Sequence, residues 1–273
     1  VIQRINKISI IVTTYNSPDY LNLVLAALEK QNNKNFDVVV ADDGSGSQTK
    51  ALIEKYQQGG KLQLIHAWHE DDGFRAAAAR NHAVFLSTGD YLVFIDGDCL
   101  ALPNFIDRQH ECAEPGYMVR GSRVMMTEAY TARVLAGETT PEKVCKWWSR
   151  RFAGDIERMT PLIMPFPKYR KPTAWYGVKT CNLSMWRSDF DAVNGFDERY
   201  VGWGHEDADL AVRLIRNGVK RKEGRSVVPV IHLWHQENDR STLSDNEGRL
   251  AEVMAADYTS AKLGLDQYPK TAD

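Results

Sequence analysis

Two aspartates bracket a glycine in Asp96-Gly97-Asp98, directly after the short apolar run 91–95. Carboxylates this close repel each other across a turn unless a cation or water separates them. Hard divalent cations such as Mg²⁺ and Mn²⁺ take oxygen ligands and bridge protein carboxylates to phosphates. The triplet by itself is equally an Asp-Gly turn, so its company decides. A second acidic cluster, Asp42-Asp43-Gly44-Ser45, follows the apolar run 36–41. Asp42, nearer the strand end, is the better candidate to accept hydrogen bonds from a nucleobase or ribose. Asp43 and Ser45 read as turn and helix-cap residues as readily as ligands. In Asp72-Gly73-Phe74-Arg75-Ala76-Ala77-Ala78-Ala79-Arg80-Asn81, Arg75 and Arg80 flank the start of an alanine-rich helix. Guanidinium groups and a helix N-terminus both favour a diphosphate.

The longest pattern is Gly195-Phe196-Asp197-Glu198-Arg199-Tyr200-Val201-Gly202-Trp203-Gly204-His205-Glu206-Asp207-Ala208-Asp209. Gly202 and Gly204 let backbone and the Trp203 indole approach a ligand, and an indole face suits the C–H patches of a sugar ring, which makes Gly202 and Trp203 acceptor candidates. Glu206 and Asp207 open a helix whose dipole favours ionised carboxylates, so either is a candidate general base towards an acceptor hydroxyl. Downstream, His232-Leu233-Trp234-His235 offers two imidazoles. His235 is the favoured metal ligand and His232 the second.

These residues need elements to position them. Strands are expected over 8–13, 36–41, 62–67 and 91–95. A helix opened by Ser17 and Pro18 carries Leu21, Val24, Leu25 and Leu28 at helical spacing, and further helices are expected over 48–56 and 76–86. This alternation is that of βαβ units around a largely parallel sheet. In such sheets ligands bind outside the carboxyl ends of the strands, where Thr13-Thr14-Tyr15-Asn16, the Asp42 cluster and Asp96-Gly97-Asp98 all fall. Residues 103–172 carry weaker patterning and read as irregular structure over the sheet. A strand over 177–186, a helix over 206–217, a strand over 226–231 and a last helix over 246–263 complete the expected order. The whole reads as a single domain over 1–273, with a nucleotide-sugar half (1–102), an acceptor and catalytic half (103–245) and a C-terminal helix and tail (246–273).

Composition narrows the partners. Lys and Arg total 34 against 36 for Asp and Glu, which gives no general attraction to nucleic acid. The four cysteines form no CxxC pair, which suits a reducing compartment. No apolar run approaches the roughly 18 to 20 residues needed to cross a bilayer, and the amino terminus lacks the layout of a signal peptide, so a cytoplasmic location is expected. Trp147-Trp148-Ser149-Arg150-Arg151 mixes aromatic and basic residues, as an acceptor-side loop or a peripheral contact with the inner membrane would.

Together the motifs resemble the family 2 glycosyltransferases of the GT-A fold. The Gly202 to Asp209 run also resembles the beta-1,4-galactosyltransferases and bacterial chondroitin polymerases. The resemblance spans roughly 8–240 and implies an α/β GT-A fold, Rossmann-like, with a mostly parallel central sheet and flanking helices. It further implies a nucleotide-sugar donor, most often a UDP-sugar, a glycan or lipid-linked glycan acceptor, Mn²⁺ or Mg²⁺, and a place in cell-surface polysaccharide or lipopolysaccharide synthesis. Carried over, Thr13, Tyr15, Asn16, Asp42, Arg75 and Arg80 would serve the nucleotide, Asp96, Gly97 and Asp98 the diphosphate and metal, and His235 and His232 the metal. Asp207, with Glu206 beside it, would be the base of an inverting transfer. The Thr13-Thr14-Tyr15-Asn16 run departs from the galactosyltransferase pattern, so galactose specificity is not carried over. Two rival readings are a nucleotidyltransferase, which would need a Gly-rich basic loop after the first strand that this chain lacks, and a catalytically silent glycan-binding protein, which the full acidic and histidine set opposes.

Overall fold

The computed structural model describes residues 4–146, 153–158, 173–236 and 239–269. Its first half alternates strand and helix: β1 (Ile8–Thr14), α1 (Pro18–Glu29), β2 (Phe36–Asp42), α2 (Ser47–Gly59), β3 (Leu64–Trp68), α3 (Ala76–Leu86) and β4 (Tyr91–Asp96). Then follow β5 (Cys99–Ala101), α4 (Phe105–Cys112), β6 (Tyr117–Arg120), β7 (Ser122–Met126), α5 (Glu128–Leu135), α6 (Pro141–Cys145) and β8 (Ile156–Arg158). The remainder holds β9 (Asn182–Trp186), α7 (Arg187–Ala192), α8 (Glu206–Arg216), β10 (Lys220–Glu223), β11 (Pro229–His232), α9 (Leu243–Ala255) and a 3₁₀ turn, Leu265–Gln267.

Seven strands form a twisted sheet in the order β10-β6-β9-β4-β1-β2-β3. β1, β2, β3 and β4 run parallel, and β9 enters antiparallel between β4 and β6. This is the mostly parallel α/β sheet expected from the sequence. Because side chains alternate across a strand, β1 sends Ile8, Ile10 and Val12 into one core and Ile11 into another. Helix α1 closes the first core with Leu21, Val24, Leu25 and Leu28, while α3 and α8 close the second. Both faces being covered explains why these strands read as continuous apolar runs.

A smaller sheet, β5-β11-β7-β8, packs beside the first. Its register matters for function: β11 pairs antiparallel with β5, His232 lying opposite Cys99, and parallel with β7, Val230 lying opposite Arg123. The segment immediately after Asp96-Gly97-Asp98 is thereby stitched to the segment carrying the histidines.

The structure corrects several sequence expectations. Residues 103–146 are not irregular: they form α4, β6, β7, α5 and α6. Their apolar positions are spread over elements too short to show a period. β10 was not anticipated, since its Lys-Arg-Lys-Glu run has no apolar pattern; Arg221 and Lys222 are buried because Arg221 binds the carbonyls of Ala174 and Tyr176 and Lys222 pairs with Glu114. The last helix spans Leu243–Ala255 rather than 246–263. The Arg216 guanidinium takes the Val253 and Met254 carbonyls, satisfying its last turn and letting the chain leave in extended conformation at Ala256. The strands expected over 177–186 and 226–231 are shorter, Asn182–Trp186 and Pro229–His232. Trp147, Trp148, Arg150, Arg151 and residues 161–172 lie outside the described residues. Among the described residues no helix is long and apolar enough to cross a membrane.

One buried ion pair fixes the position of α8. Arg213 donates to Asp209 Oδ2 from Nε at 2.8 Å and from its Nη2 at 2.5 Å, and its Nη1 reaches the carbonyls of Val193 and Gly195. Both side chains are fully buried. Removing one partner strands the other charge in a dry site, at a cost of about 3–5 kcal/mol. Asp209→Ala should therefore lower the melting temperature by roughly 6–20 °C, taking about 2–4 °C per kcal/mol for a chain of this size. A drop below about 2 °C in a thermal melt would show that the pair does not anchor the helix.

Candidate active site

The carboxyl ends of β1, β2 and β4 lie side by side, Thr13 pairing with Ala41 on one side and Asp96 on the other. The loops leaving them are clasped. Asn16, in the left-handed region at φ 44°, donates its N–H to the Ser45 hydroxyl oxygen, and its Oδ1 accepts from Gly46 N–H. Tyr15 is 44% exposed, with its hydroxyl donating to Asp71 at 2.8 Å. Asp42 sits differently from its expected place as an open nucleoside ligand. It is fully buried, Oδ1 accepting from Ser45 N–H at 2.8 Å and Oδ2 lying 2.7 Å from His66 Nε2. As the last residue of β2 it shares a sheet face with His66 of β3, and its oxygens hold the turn. The neighbour Asp43 accepts from Arg75 N–H at 2.8 Å and lies 3.2 Å from His69 Nε2. Hydrogen bonding to Asp43 raises the His69 pKa above its usual value against the effect of burial. Arg75 keeps an accessible guanidinium, pairs with Asp72 at 3.0 Å, and lines a cavity of about 330 Å³ with His69, His82, Glu198 and Tyr268.

Arg80 also departs from expectation. It is buried beneath the crevice, where its Nε donates to Thr13 Oγ1 at 3.0 Å, its Nη1 meets Glu206 at 3.1 Å and its Nη2 meets Asp96 at 3.5 Å. Each of its three nitrogens has a partner inside the protein, so it braces β1, β4 and α8 against one another. Burial works against its charge, but Glu206 and Asp96 outweigh burial and hold its pKa up.

Gly97 explains itself by close approach. Its N–H donates to the Thr13 carbonyl at 2.8 Å, and an added Cβ would come within 2.9 Å of that oxygen. The tight turn leaves Asp96 a third exposed, while Asp98 turns towards β11. Leu233 N–H donates to the Asp98 carbonyl at 3.0 Å, locking the two segments together. Asp98 Oδ2 lies 3.2 Å from His235 Nε2 and 3.6 Å from His232 Nε2, and its Oδ1 takes the Cys99 thiol. Burial and the nearby Asp96 push the Asp98 pKa up to about 6. Burial, Arg123 and His235 push His232 down to about 3, which keeps it neutral. His232 Nδ1 is buried without a hydrogen-bond partner among the described residues. A carboxylate facing two imidazoles, one of them forced neutral, is a donor set that fits a divalent cation such as Mn²⁺ or Mg²⁺. Asp98, Cys99 and His232 bring their ligand atoms within 4.8 Å of one another. The buried Cys99 thiol has its pKa raised well above the usual value by burial and by Asp98, so the oxygen and nitrogen donors are the available ones.

Gly202 joins the two halves. Its N–H donates to the Phe74 carbonyl at 2.7 Å, tying the loop after β3 to the loop before α8. Its φ is +77°, and an added Cβ would overlap Thr242 Oγ1. Gly202→Ala should destabilise by about 1–3 kcal/mol through strain at this φ alone. It should also raise the acceptor KM more than the donor KM, and equal effects on both in steady-state kinetics would count against an acceptor-side role. Trp203 lies half-buried with the Arg240 guanidinium 4.6 Å from its ring centroid, so one indole face is already occupied by a cation. Glu206 and Asp207 form the first turn of α8. The dipole there was expected to keep both ionised. Instead burial and the adjacent Glu206 push the Asp207 pKa up to about 7, with Arg80 and Lys179 pulling the other way. A carboxylate titrating near neutrality is matched to proton abstraction.

Sequence reasoning passed over Asp43 as the carboxylate linked to Arg75, and over Arg123 and Lys179. The last two are single cations outside any motif; only the register of β7 and the turn before β9 bring them near the acidic cluster.

Comparison with known proteins places these observations. The family model described as glycosyl transferase family 2 matches residues 9–167, and one described as N-terminal domain of galactosyltransferase matches 160–235. Validoxylamine A glucosyltransferase of Streptomyces hygroscopicus subsp. jinggangensis is 31% identical over 229 residues, covering 78% of this chain and 52% of its own. Chondroitin synthase of Pasteurella multocida is 36% identical over 243 residues, covering 80% of this chain and 24% of that one. The chain thus spans about half the length of the first relative and a quarter of the second. Among solved structures, TarS of Staphylococcus aureus in complex with UDP-GlcNAc superimposes with a TM-score of 0.68 at 18% identity, over 96% of this chain and 69% of that one. The fold is accordingly GT-A.

Proposed function

The chain belongs to glycosyl transferase family 2, and from that premise we propose that it transfers a sugar, with inversion, from a UDP-sugar to a hydroxyl of a glycan or lipid-linked glycan. The observation that carries the reading is the Glu206–Arg80–Asp96 bridge, which holds the acidic start of α8 against the Asp96-Gly97-Asp98 turn. A base and a leaving-group site then face one crevice, as a single displacement at the anomeric carbon requires. Both sequence halves contribute to that crevice, so we read the chain as one catalytic unit.

In this reading Tyr15 and Asn16 border the nucleoside, with Asp43 and Arg75 taking the part first expected of Asp42, which with Thr13 supports them from below. Asp98, His232 and His235 would hold a divalent cation, with Asp96 beside it. When bound, that cation supplies positive charge to the departing nucleoside diphosphate. Asp207 takes the acceptor proton as the hydroxyl oxygen attacks C1, and Glu206, fixed on Arg80, keeps the Asp207 pKa high enough for that proton transfer. Trp203 and Gly202 shape the acceptor side. The UDP-GlcNAc bound in the TarS structure supports the choice of a UDP-sugar, and the chondroitin synthase among the relatives supports a glycan acceptor.

A thermal-shift panel of UDP-, GDP- and dTDP-sugars, each with Mn²⁺ and with EDTA, tests the reading. Selective, Mn²⁺-dependent stabilisation by one UDP-sugar is expected, since binding the native state raises its melting temperature. Stabilisation by none of them, or formation of nucleotide-sugar from a nucleoside triphosphate and a sugar phosphate, would overturn it.

A further inference from the structure

Arg123 is a cation in this crevice to which no task has yet been given. It lies on β7 opposite Val230, so it shares a sheet face with His232 two residues along β11 and, across that strand, with Cys99. Its side chain is half-buried, and among the described residues no carboxylate comes within ion-pair distance of it. Yet it is close enough to Asp96, Asp98 and Cys181 to feel them. Burial disfavours its charge; Cys181 and Cys99, whose thiols are themselves held protonated, and then Asp96 and Asp98 act the other way, and of these the two carboxylates carry charge near neutrality. In return Arg123 is a main reason, after burial, that His232 stays neutral.

Among the described residues the Arg123 guanidinium closes no ion pair with either carboxylate, so its donors remain available to an incoming group. An anion entering between Arg123 and the Asp98 side of the crevice would meet that charge. The planar fork of arginine matches the oxygens of a phosphate. Arg80, by contrast, is already spent on Thr13, Glu206 and Asp96.

We propose that Arg123 is the protein's own counter-cation for the departing diphosphate, donating to an oxygen of the phosphate attached to the sugar. The inference rests on the donor reading given above. As the acceptor oxygen bonds to C1, the C1–O bond breaks and its electron pair passes to the phosphate oxygen, which gains a negative charge. The acceptor proton goes to Asp207. Arg123 meets the charge that appears, so its contribution is larger in the transition state than in the ground state.

Calorimetry with UDP, in Mn²⁺ and in EDTA, is the test, run on the wild type, Arg123→Gln, Arg123→Lys and Asp98→Ala. Arg123→Gln should weaken UDP about tenfold or more even in EDTA, where no metal contributes, and should lower kcat by about 10²-fold with little change in acceptor KM. Arg123→Lys should recover part of both. Unchanged UDP affinity for Arg123→Gln, with Asp98→Ala losing its Mn²⁺-dependent binding, overturns the proposal and leaves the donor site standing. If neither variant differs from the wild type, the donor reading itself falls. Loss confined to a UDP-uronate, with UDP unaffected, would assign Arg123 to a sugar carboxylate and also overturn the proposal. Should Arg123→Gln fail to fold, Arg123→Lys decides: its lost fork must weaken UDP about threefold or more, and wild-type affinity would sink the idea.

Discussion

Asp207→Asn lowers sugar transfer by a factor of about 10²–10⁴ while leaving UDP-sugar affinity within about threefold of wild type. The substitution keeps the shape of the side chain and its place in the first turn of α8 but removes the proton acceptor, whose contribution of about 10²–10⁴ is then lost. The Glu206–Arg80–Asp96 bridge is untouched, so the donor half keeps its geometry. Single-turnover transfer and calorimetry on the same preparation check both parts, and retained turnover would remove Asp207 from the base position. The wild-type profile of kcat/KM should rise with pH and level off above about 7, where Asp207 loses its proton. The same shift acts on stability. An aspartate whose folded pKa lies above its unfolded value binds its proton more tightly when folded, so its contribution is fully present below about pH 4 and is lost as the pH rises through about 7. Asparagine cannot ionise and escapes that loss. Asp207→Asn should therefore melt a few degrees higher than wild type at pH 8, and no higher at pH 4. A variant both inactive and more stable is what a residue held for chemistry rather than for packing produces.

The second large effect belongs to the cation. Asp98→Ala removes the carboxylate on which His232 and His235 converge. Mn²⁺-dependent UDP binding should fall by about 100-fold or more, since even residues behind a ligand are worth 10–100-fold in metal affinity. His232→Ala should approach the same loss, because β11 fixes that imidazole in a buried, neutral state. His235→Ala should cost less, because its ring is 37% exposed and its Nδ1 is satisfied by the nearby Gln236 carbonyl. Titration of each apoprotein with Mn²⁺ in the presence of UDP ranks them. Wild-type affinity for Asp98→Ala would show that these three residues do not form the cation site. Chelation of the wild type should reproduce the Asp98→Ala phenotype and be reversed by adding Mn²⁺ back.

Much of the first half of the fold was legible because its strands are buried on both faces and end in polar clusters, so β1, β2 and β4 announce themselves as apolar runs with motifs at their ends. The acidic helix start was legible for the same reason: Gly202-Trp203-Gly204 and Glu206-Asp207 are unusual together. Side-chain direction was not legible. Asp42 and Asp43 are adjacent and identical, and only the pleat of β2 decides that the first turns towards His66 and the second towards Arg75. The internal partners of Arg80 were not legible either, because nothing local reveals that Glu206 and Asp96 lie against it. β10 was hidden by charge, since the burial of Arg221 and Lys222 depends on carbonyls and a carboxylate supplied by other segments. Arg123 was hidden because a lone arginine has no pattern, and its placement rests on the register between β7 and β11.

That register also bears on the order in which the molecule comes into being. Asp98 and the histidines His232 and His235 lie more than 130 positions apart, and three residue pairs between β5 and β11 bring them together. A ribosome releasing this chain exposes the nucleotide-binding strands long before His232 exists. If Asp98, His232 and His235 hold the cation as proposed, the growing polypeptide has no place for it until β11 pairs with β5 and β7.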